Sequence, residues 1–411
     1  MTHIAVVGAG ISGVTTAYSL LQRGYQVTVL DRNRYAAMMT SFANGGQLSA
    51  SNAEVWTQLS TIIKGMKWML KRDAPLLVNP KPSWHKYSWM AEFIGNIPNY
   101  EANTIESARL AIVAREFLFS WAEKENIDFD HEKRGILHIC VDQKGYEHAL
   151  KVNELLAKGG LERHAVTPEE MRSIEPALKG DPYGGFYTES DSTGDIHKYT
   201  LGLAKACQRM GGKFLFDVRV QTLSQQGGKV QISYSAEENY TVEQETFDGV
   251  VICAGIESRR FAAQLGDKVN IYPVKGYSIT IDLPDAESRD AAPWTSLLDD
   301  NAKVVSSRLG ENRLRIAGTA EFNGENYDIR DNRIRPLVAW SRRFFPGVQT
   351  EHIVPWAGLR PMMPSMMPRV GAGKQPGVYY NTGHGHLGWT LCAATAEILG
   401  DTLLKSQPPG S

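Results

Sequence analysis

The chain is poor in cysteine, in net charge and in long apolar runs, and each shortage excludes a class of protein. Its four cysteines lie far apart without a Cys-x-x-Cys pair, so neither a metal site nor a disulfide framework is expected. The net charge of −1 argues against nucleic acid as a partner, because phosphate binders need a basic surplus. No apolar run reaches the roughly 18 residues of a membrane-spanning helix. A glycine motif starts near residue 4 and no signal peptide is expected, so the expected location is cytoplasmic.

Glycine is abundant, and its arrangement near the start of the chain is the most informative motif. Residues 4–7 predict a buried strand, after which Gly8 permits a tight turn, Gly10 lets a pyrophosphate approach, and Gly13 lets the next helix pack closely. A second predicted strand ends at Asp31, whose carboxylate can accept a hydrogen bond from a ribose hydroxyl. This combination predicts a dinucleotide site at the start of the helix. The alternative is a glycine-rich turn in an ordinary α/β domain.

Similar nucleotide-type patterns recur in the middle and at the end of the 411-residue chain, which is long enough for two domains. Alternating polar and apolar residues between them predict an antiparallel sheet. We therefore expect two interleaved domains. Their predicted segments are 1–60, 163–257 and 350–411 for the nucleotide-binding domain, and 61–162 and 258–349 for the substrate domain. Other predictions are an amphipathic helix at 55–71, a strand at 214–220 and an irregular loop at 355–368.

Several segments together resemble one family from end to end. They are the glycine turn with its second strand (6–31), and residues 40–47, 272–278, 356–362 and 381–390. The Gly-Leu-Arg-Pro and Gly-His-Gly-His-Leu-Gly-Trp sequences in the last two segments are the most specific. The chain is similar to the FAD-dependent D-amino-acid oxidase superfamily and, within it, to the small-subunit type of bacterial D-amino-acid dehydrogenase. The resemblance implies an α/β protein, in which a Rossmann-like FAD-binding domain is interleaved with an α+β substrate domain built on an antiparallel sheet.

This resemblance implies FAD as the cofactor and oxidative deamination of D-amino acids as the reaction. In the family, the α-hydrogen leaves as hydride to flavin N5, and the imino acid hydrolyses to a 2-oxo acid and ammonia. Electrons then pass to a quinone or another non-oxygen acceptor. Some relatives attach FAD through a cysteine where this chain has Gly358, so non-covalent FAD is expected. The alternatives are a secondary-amine oxidase or dehydrogenase, acting on sarcosine, glycine, D-proline or hydroxyproline, and a non-catalytic FAD-binding subunit.

The resemblance also assigns roles to individual residues. Arg360 matches the arginine that pairs with the substrate carboxylate, a role that suits a planar, permanently charged guanidinium. Tyr277 is a candidate wall residue or a structural tyrosine, and His386 is a candidate general base or a residue that only shapes its loop. The residues expected to contact the cofactor are Gly8, Ala9, Gly10, Ile11, Ser12, Gly13, Asp31, Arg32, Ser41, Asn44, Gly45, Gly46, Gln47, Leu48, Val218, Ala254, Gly255, Gly383, His384, Gly385, His386, Leu387, Gly388, Trp389 and Thr390.

The chain departs from the family pattern at two positions, and it carries one basic amphipathic segment. Ser365 stands where the dehydrogenases usually carry an aspartate, and Ala302 lies where many carry a tyrosine, so a second contact to the substrate is unassigned. The basic amphipathic stretch 55–71, with Trp56 and Trp68, has two interpretations. It can lie on the inner face of the cell membrane, as the resemblance implies, or pack over the mouth of the active site.

Overall fold

The computed structural model describes residues 1–68, 75–236 and 241–410. Within these residues the strands are β1 (His3–Val7), β2 (Gln26–Leu30), β3 (Gln47–Leu48), β4 (Leu76–Val78), β5 (Ile136–Cys140), β6 (His164–Val166), β7 (Gly184–Thr188), β8 (Ser192–Thr193), β9 (Lys213–Leu215), β10 (Val218–Gln226), β11 (Lys229–Ala236), β12 (Val242–Phe247), β13 (Gly249–Ile252), β14 (Tyr272–Asp282), β15 (Ser296–Asp299), β16 (Val304–Arg308), β17 (Arg313–Phe322), β18 (Ile353–Met362), β19 (Arg369–Ala372) and β20 (Val378–Thr382).

The helices of the same residues are α1 (Ile11–Gln22), α2 (Leu59–Trp68), α3 (Trp84–Gly95), α4 (Tyr100–Lys124), α5 (Gln143–Lys158), α6 (Pro168–Ile174), α7 (Ile196–Arg209), α8 (Ser258–Gln264), α9 (Ala286–Ala291), α10 (Asp331–Phe344) and α11 (Gly388–Ser406). Among the described helices, none has the length and apolar character needed to cross a membrane.

The first sheet is largely parallel and carries the predicted glycine turn. Its strand order is β19-β20-β13-β1-β2-β9, with β1 parallel to both β2 and β13 and β19 antiparallel at one edge. Helices α1, α4, α7 and α11 share one hydrophobic core on one side of this sheet, and the β10-β11-β12 meander packs on the other side. The strands are therefore covered on both faces, which explains their nearly continuous apolar sequences.

The second sheet is mostly antiparallel, as predicted. Its order is β18-β14-β17-β16-β15-β5-β7-β6, and β4 is added beside β17; only the β5–β15 and β4–β17 pairs are parallel. Helix α10 covers one face with an apolar stripe that includes Leu337, Trp340 and Phe344. The two sheet types, together with their helices, confirm the predicted α/β class with a Rossmann-like unit and an antiparallel second sheet.

Some predicted elements are wrong. Residues 355–362 of the expected loop at 355–368 belong to β18, which pairs with β14. Pro355 and Pro361 are compatible with β18 because it is an edge strand, where one row of backbone groups needs no partner. The expected strand at 214–220 is two strands, since Asp217 between them has a φ of 55°. The helix expected at 55–71 begins at Leu59, and residues 69–71 of that prediction lie outside the described residues.

Sheet membership also bears on the expected domain segments. Strands β6, β7 and β18 pair in the second sheet, although the expected segments place them in the nucleotide-binding domain. Conversely, α4 packs against α11 in the core of the first unit. We propose to keep two interleaved domains, with β6, β7 and β18 assigned to the substrate domain and α4 to the FAD-binding domain. The chain then crosses between the two more often than its sequence pattern indicates.

Candidate active site

A cavity of about 850 Å³ lies between the two sheets and extends from the glycine turn to β18. This volume is in the upper part of the range of about 300–1,000 Å³ that is typical of ligand sites. The predicted residues that line it are Gly8, Gly10, Ile11, Ser12, Asp31, Arg32, Ser41, Asn44, Gly45, Gly46, Gln47, Val218, Ala254, Gly255, Tyr277, Arg360 and all of 383–390. The predicted residues Ala9, Gly13 and Leu48 are not in this lining.

Two glycines of the turn, Gly8 and Gly13, leave no room for a side chain. Gly8 has a φ of 107°, and a Cβ there would lie 2.6 Å from the carbonyl oxygen of Cys253. A Cβ on Gly13 would lie 1.8 Å from the carbonyl oxygen of Gly8, so Gly13 is needed for the close packing of helix and strand. A Cβ on Gly10 would have Ser41 Oγ as its nearest atom, at 3.5 Å, so the backbone of Gly10 is open to the cavity. The N-terminus of α1 is thereby presented to a ligand, and its dipole favours an anion.

The acid at the end of β2 is held in a fixed orientation. One carboxylate oxygen of Asp31 accepts from the backbone N–H of Ala9 at 2.6 Å, and the other accepts from that of Asn33 at 2.8 Å. The remaining acceptor positions of the carboxylate suit a ribose hydroxyl. The next residue, Arg32, forms an ion pair with Glu257 across this end of the cavity. The predicted adenine-side residue Val218 donates its N–H to the carbonyl of Asp31 at 3.1 Å.

The segment 40–47 joins the first unit to the second sheet. Ser278 donates to the carbonyl of Ala43 at 2.9 Å, and Ser307 donates to that of Gly45 at 2.6 Å. The side chain of Asn44 accepts from the N–H of Gly46 at 2.9 Å, so it stabilises the turn. Gly45 also has a packing reason to be small, because a Cβ there would lie 2.7 Å from a methyl group of Val305.

The residues present fit FAD. The cavity has a helix N-terminus for a diphosphate and an oriented carboxylate for a ribose. Glycines in its wall also leave space for a ligand. A Cβ on Gly255 would have no atom of the described chain within 4 Å, and the atom nearest to a Cβ on Gly388 would be 3.7 Å away. Residues 383–390, at the start of α11, form a wall of the same cavity.

Arg360 on β18 is the principal cation of this cavity. Its Nη1 donates to the carbonyl of Thr319 at 2.9 Å, and its guanidinium lies across Gly276, where a Cβ would be 2.3 Å from Nη2. In the part of the chain that the structure describes, no carboxylate lies within 4 Å of Arg360. Burial lowers the pKa of Arg360 to about 10, so the group remains charged at neutral pH. A half-buried guanidinium without a carboxylate partner among the described residues suits a substrate carboxylate.

Two histidines follow on the loop before α11, and both are neutral. Burial lowers the pKa of His384 to about 4, and its Nε2 pairs with the hydroxyl of Thr395 at 2.9 Å. Burial, with the nearby charge of Arg360, lowers the pKa of His386 to about 3. Its Nε2 donates to the carbonyl of Asn52 at 3.4 Å, and its ring stacks on Trp56 at 4.7 Å. A ring held in this way shapes the wall, which was one of the two expectations for it.

The hydroxyl of Tyr277 is directed away from Arg360. In β14, Tyr277 alternates with Gly276, and Gly276 is the residue that contacts the guanidinium. The Tyr277 hydroxyl donates to Glu321 at 2.8 Å, and its ring belongs to the core beneath α10. Burial and this hydrogen bond raise the pKa of Tyr277 to about 12. The arrangement fits the structural alternative better than a catalytic role.

Sequence reasoning missed the polar residues at the other end of the cavity. Glu54 and Lys303 both line it, and both lie close enough to His386 to act on its pKa. Neither belongs to a motif: Glu54 is in an irregular segment before α2, and Lys303 is in the turn between β15 and β16. Only the fold brings them together, so no signal in the sequence alone could have found them.

Comparison with known proteins gives a consistent result. The sequence model described as FAD dependent oxidoreductase (DAO) matches residues 3–402. A protein of Mesorhizobium japonicum named D-amino acid dehydrogenase 3 is 61% identical over 408 residues, which cover 99% of this chain and 98% of that protein. Among solved structures, glycine oxidase from Bacillus cereus has a TM-score of 0.74 at 19% identity, covering 99% of this chain and 96% of that one. L-proline dehydrogenase from P. horikoshii has a TM-score of 0.75 at 18% identity, with 99% and 95% covered.

Proposed function

Since the chain belongs to the family of FAD-dependent oxidoreductases, we propose that it is a D-amino acid dehydrogenase. It oxidises D-amino acids to 2-oxo acids and ammonia. The observation that carries the proposal is Arg360, a charged guanidinium in the cavity with no carboxylate partner among the described residues. The close relative named D-amino acid dehydrogenase 3 supports the choice of substrate. The similar glycine oxidase and L-proline dehydrogenase structures support only the fold, because their identity to this chain is low.

Arg360 binds the α-carboxylate of the substrate in this proposal. The carbonyl of Thr319 fixes one nitrogen of the guanidinium, which leaves the remaining N–H groups for two parallel hydrogen bonds to a carboxylate. Gly276 provides the space in which the guanidinium lies flat against the sheet. The substrate is therefore held by its carboxylate at a defined place on β18, and its α-carbon is positioned relative to the cofactor by that anchor.

The FAD-binding residues are proposed from the same cavity. The N-terminus of α1 and Ser12 would hold the diphosphate, Asp31 would hold the ribose, and the start of α11 would contribute to the flavin site. The cofactor is non-covalent, because all four cysteines of the chain are buried and Gly358 stands in the place of the attachment cysteine. When bound, FAD supplies the acceptor for the hydride that leaves the α-carbon.

The chain does not need a strong base for this reaction. Hydride leaves most readily from a carbon that bears a neutral amine, and a desolvated site beside the positive Arg360 favours the neutral form. His384 and His386 have pKa values of about 4 and about 3, so neither ring carries a charge near neutral pH. Their role is to shape the wall beside the cofactor, with His386 held between Asn52 and Trp56.

We also propose that electrons leave to a quinone at the inner face of the cell membrane. Helices α2 and α3 contribute residues to the cavity lining, and they carry apolar side chains that face solvent: Leu59 is 61% exposed and Trp84 is 84% exposed. Such side chains insert readily at a membrane surface. Sedimentation with vesicles of mixed anionic lipids tests this point. Binding that is weaker in Trp84→Ser supports it, whereas a wild-type protein that stays in the supernatant contradicts it.

Anaerobic reduction of the flavin tests the proposed substrate. The purified holoenzyme is mixed with single amino acids, and the loss of visible flavin absorbance is followed. We expect bleaching by D-amino acids and not by their L-enantiomers. Bleaching by sarcosine or proline alone would favour a secondary-amine dehydrogenase, and no bleaching by any amine would favour a non-catalytic FAD-binding subunit. Readmission of air then separates a dehydrogenase, which stays reduced, from an oxidase.

A further inference from the structure

Glu54 lies in the wall of the cavity that faces the substrate anchor. It belongs to a short segment that packs on His386: Asn52 accepts the ring N–H, and Trp56 stacks on the ring. The charges of both Arg360 and Glu54 act on the pKa of His386, so both groups lie near this ring. A substrate whose carboxylate pairs with Arg360 therefore has Glu54 in the lining of the same cavity.

The two oxygens of the Glu54 carboxylate have different surroundings. Oε1 accepts three hydrogen bonds, from Gln58 Nε2 at 2.5 Å, from the hydroxyl of Tyr100 at 2.7 Å and from His148 Nε2 at 3.2 Å. Oε2 accepts none from the residues that the structure describes. Three donors on one oxygen fix the orientation of the whole group, because a carboxylate rotates as a rigid plane. Glu54 thus offers one oriented, unused acceptor in the lining of the cavity.

The potential cation nearest to Glu54 among the described residues is His148, whose Nε2 lies 3.2 Å from Oε1. In the described part of the chain, no lysine or arginine nitrogen lies within 4 Å of it. The nearby ammonium of Lys303 lies 3.3 Å from Asp300, which balances its charge locally. Burial alone would raise the pKa of Glu54, but the hydrogen bond and charge of His148, with the charge of Lys303, hold it below its ordinary value. The group is therefore an anion at neutral pH.

We propose that Glu54 determines which side chains the enzyme accepts. It selects D-amino acids whose side chain ends in a hydrogen-bond donor, such as an amide, hydroxyl or ammonium group, and it rejects acidic side chains. An amide or ammonium group pairs with Oε2, whereas a second carboxylate faces a like charge in a desolvated cavity, which costs much more than in water. The inference rests on the proposed function, since it assumes a D-amino acid anchored at Arg360.

D-glutamine and D-glutamate form the decisive substrate pair, because they have the same shape and differ only in the charge and donors of the side-chain end. The test compares the kcat/KM of flavin reduction for the two substrates at pH 8, where ordinary histidines are neutral. The wild-type enzyme should prefer D-glutamine by at least about tenfold. In Glu54→Gln, which keeps an acceptor for Gln58, Tyr100 and His148, this preference should fall to about twofold or less.

Matched controls separate selection from a structural role. Glu116→Gln makes the same chemical change at an exposed position on α4 and should keep the wild-type preference. If Glu54 only stabilises its segment, Glu54→Gln will slow D-alanine, D-glutamine and D-glutamate alike and leave the ratio unchanged, which overturns the inference. If Glu54→Gln does not fold, the wild-type enzyme alone tests the inference. The inference is contradicted if the wild-type enzyme oxidises D-glutamine and D-glutamate equally well. It is also contradicted if the enzyme oxidises D-alanine but neither D-glutamine nor D-glutamate. If no D-amino acid reduces the flavin, the proposed function itself fails.

Discussion

His386 illustrates how burial decides the chemistry of a single residue. A histidine beside a reacting amine is a natural candidate for a general base, yet this ring is buried, stacked on Trp56 and close to the positive Arg360. The burial and the nearby positive charge both disfavour the protonated form. Its pKa of about 3 means that it is neutral over the whole working range of an enzyme.

A pH profile checks this account of His386. Because the ring is already neutral above about pH 4, it should contribute no inflection to log kcat/KM between pH 5 and 9. His386→Gln keeps a donor and the approximate volume, so we expect a lower rate with the same profile shape. The rise of kcat/KM with pH is then caused by deprotonation of the substrate ammonium alone. Loss of one inflection in the variant would show that the histidine titrates during turnover.

The place of a functional residue can be predicted from the sequence when the residue belongs to a motif with fixed spacing. It cannot be predicted when only the fold brings the residue to the site. Gly8, Gly10 and Asp31 lie at set spacings on one strand-turn-helix unit, so their places follow from local geometry. Glu54 reaches the cavity from an irregular segment and has no such spacing. The sequence left Tyr277 open between a wall residue and a structural tyrosine, and only the structure shows that strand alternation directs its hydroxyl to Glu321.

The pairing of β14 with β18 positions the substrate anchor. Val274 is opposite Arg360 and Gly276 is opposite Gly358, and the missing side chain of Gly276 lets the guanidinium lie across the sheet. A methyl group at Gly276 would occupy the place of that guanidinium, at 2.3–2.4 Å from its atoms. Because an arginine side chain is flexible, it would move rather than break the strand.

Gly276→Ala therefore should impair substrate binding selectively. We expect the KM for D-alanine to rise by roughly tenfold, since the anchor is displaced from its position on β18. FAD content after purification should remain at the wild-type level, because the diphosphate and ribose contacts lie on the first sheet. The measurements are steady-state kinetics and flavin content of the two proteins. An unchanged KM would mean that the guanidinium does not need this space.

Helices and strands could be predicted where the hydrophobic periodicity of the sequence is strong. The prediction was poor where proline or a single residue changes the path of the chain. The proline-rich stretch at 355–368 indicates a loop by composition, but an edge strand accepts proline without losing a needed hydrogen bond. Asp217 ends β9 by adopting a positive φ, which sends β10 into a separate meander. Neither outcome is encoded in a local pattern; each depends on the neighbouring strands.

Over the whole molecule, buried neutral histidines make stability depend on pH. His138 and His384 are each 3% exposed, and burial lowers the pKa of both to about 4. In the unfolded chain these groups titrate near 6.5, so below that pH the unfolded state binds more protons than the folded state. The contribution of these rings is therefore complete above about pH 6.5 and is lost as pH falls towards 4.

We expect the free energy of unfolding to fall between pH 6.5 and 4 by on the order of a few kcal/mol per buried ring. Urea unfolding at pH 7.5, 5.5 and 4.5 measures this slope. His138→Gln should be less stable than wild type at pH 7.5 but show a smaller decrease with acid, whereas the same change at the exposed His352 should leave the slope unaltered. A slope that is identical in His138→Gln and wild type would contradict the assignment.

The interleaved organisation could be predicted because glycine turns and buried strands recur at the start, middle and end of the chain. The distribution of the strands between the sheets could not. Strands β6 and β7 and helix α4 are partnered through long-range contacts that leave no mark in their own sequences. The cavity arises between these two units, so its two ends belong to different parts of the chain.

The most direct test of the account is an anaerobic titration of flavin reduction with D-alanine in three holoenzymes: wild type, Arg360→Gln, and Arg335→Gln as an exposed control on α10. If Arg360 holds the substrate carboxylate, its replacement should raise the apparent Kd for D-alanine by about 100-fold or more, while FAD stays bound. Arg335→Gln should titrate as wild type does. A wild-type Kd in Arg360→Gln would contradict the central claim.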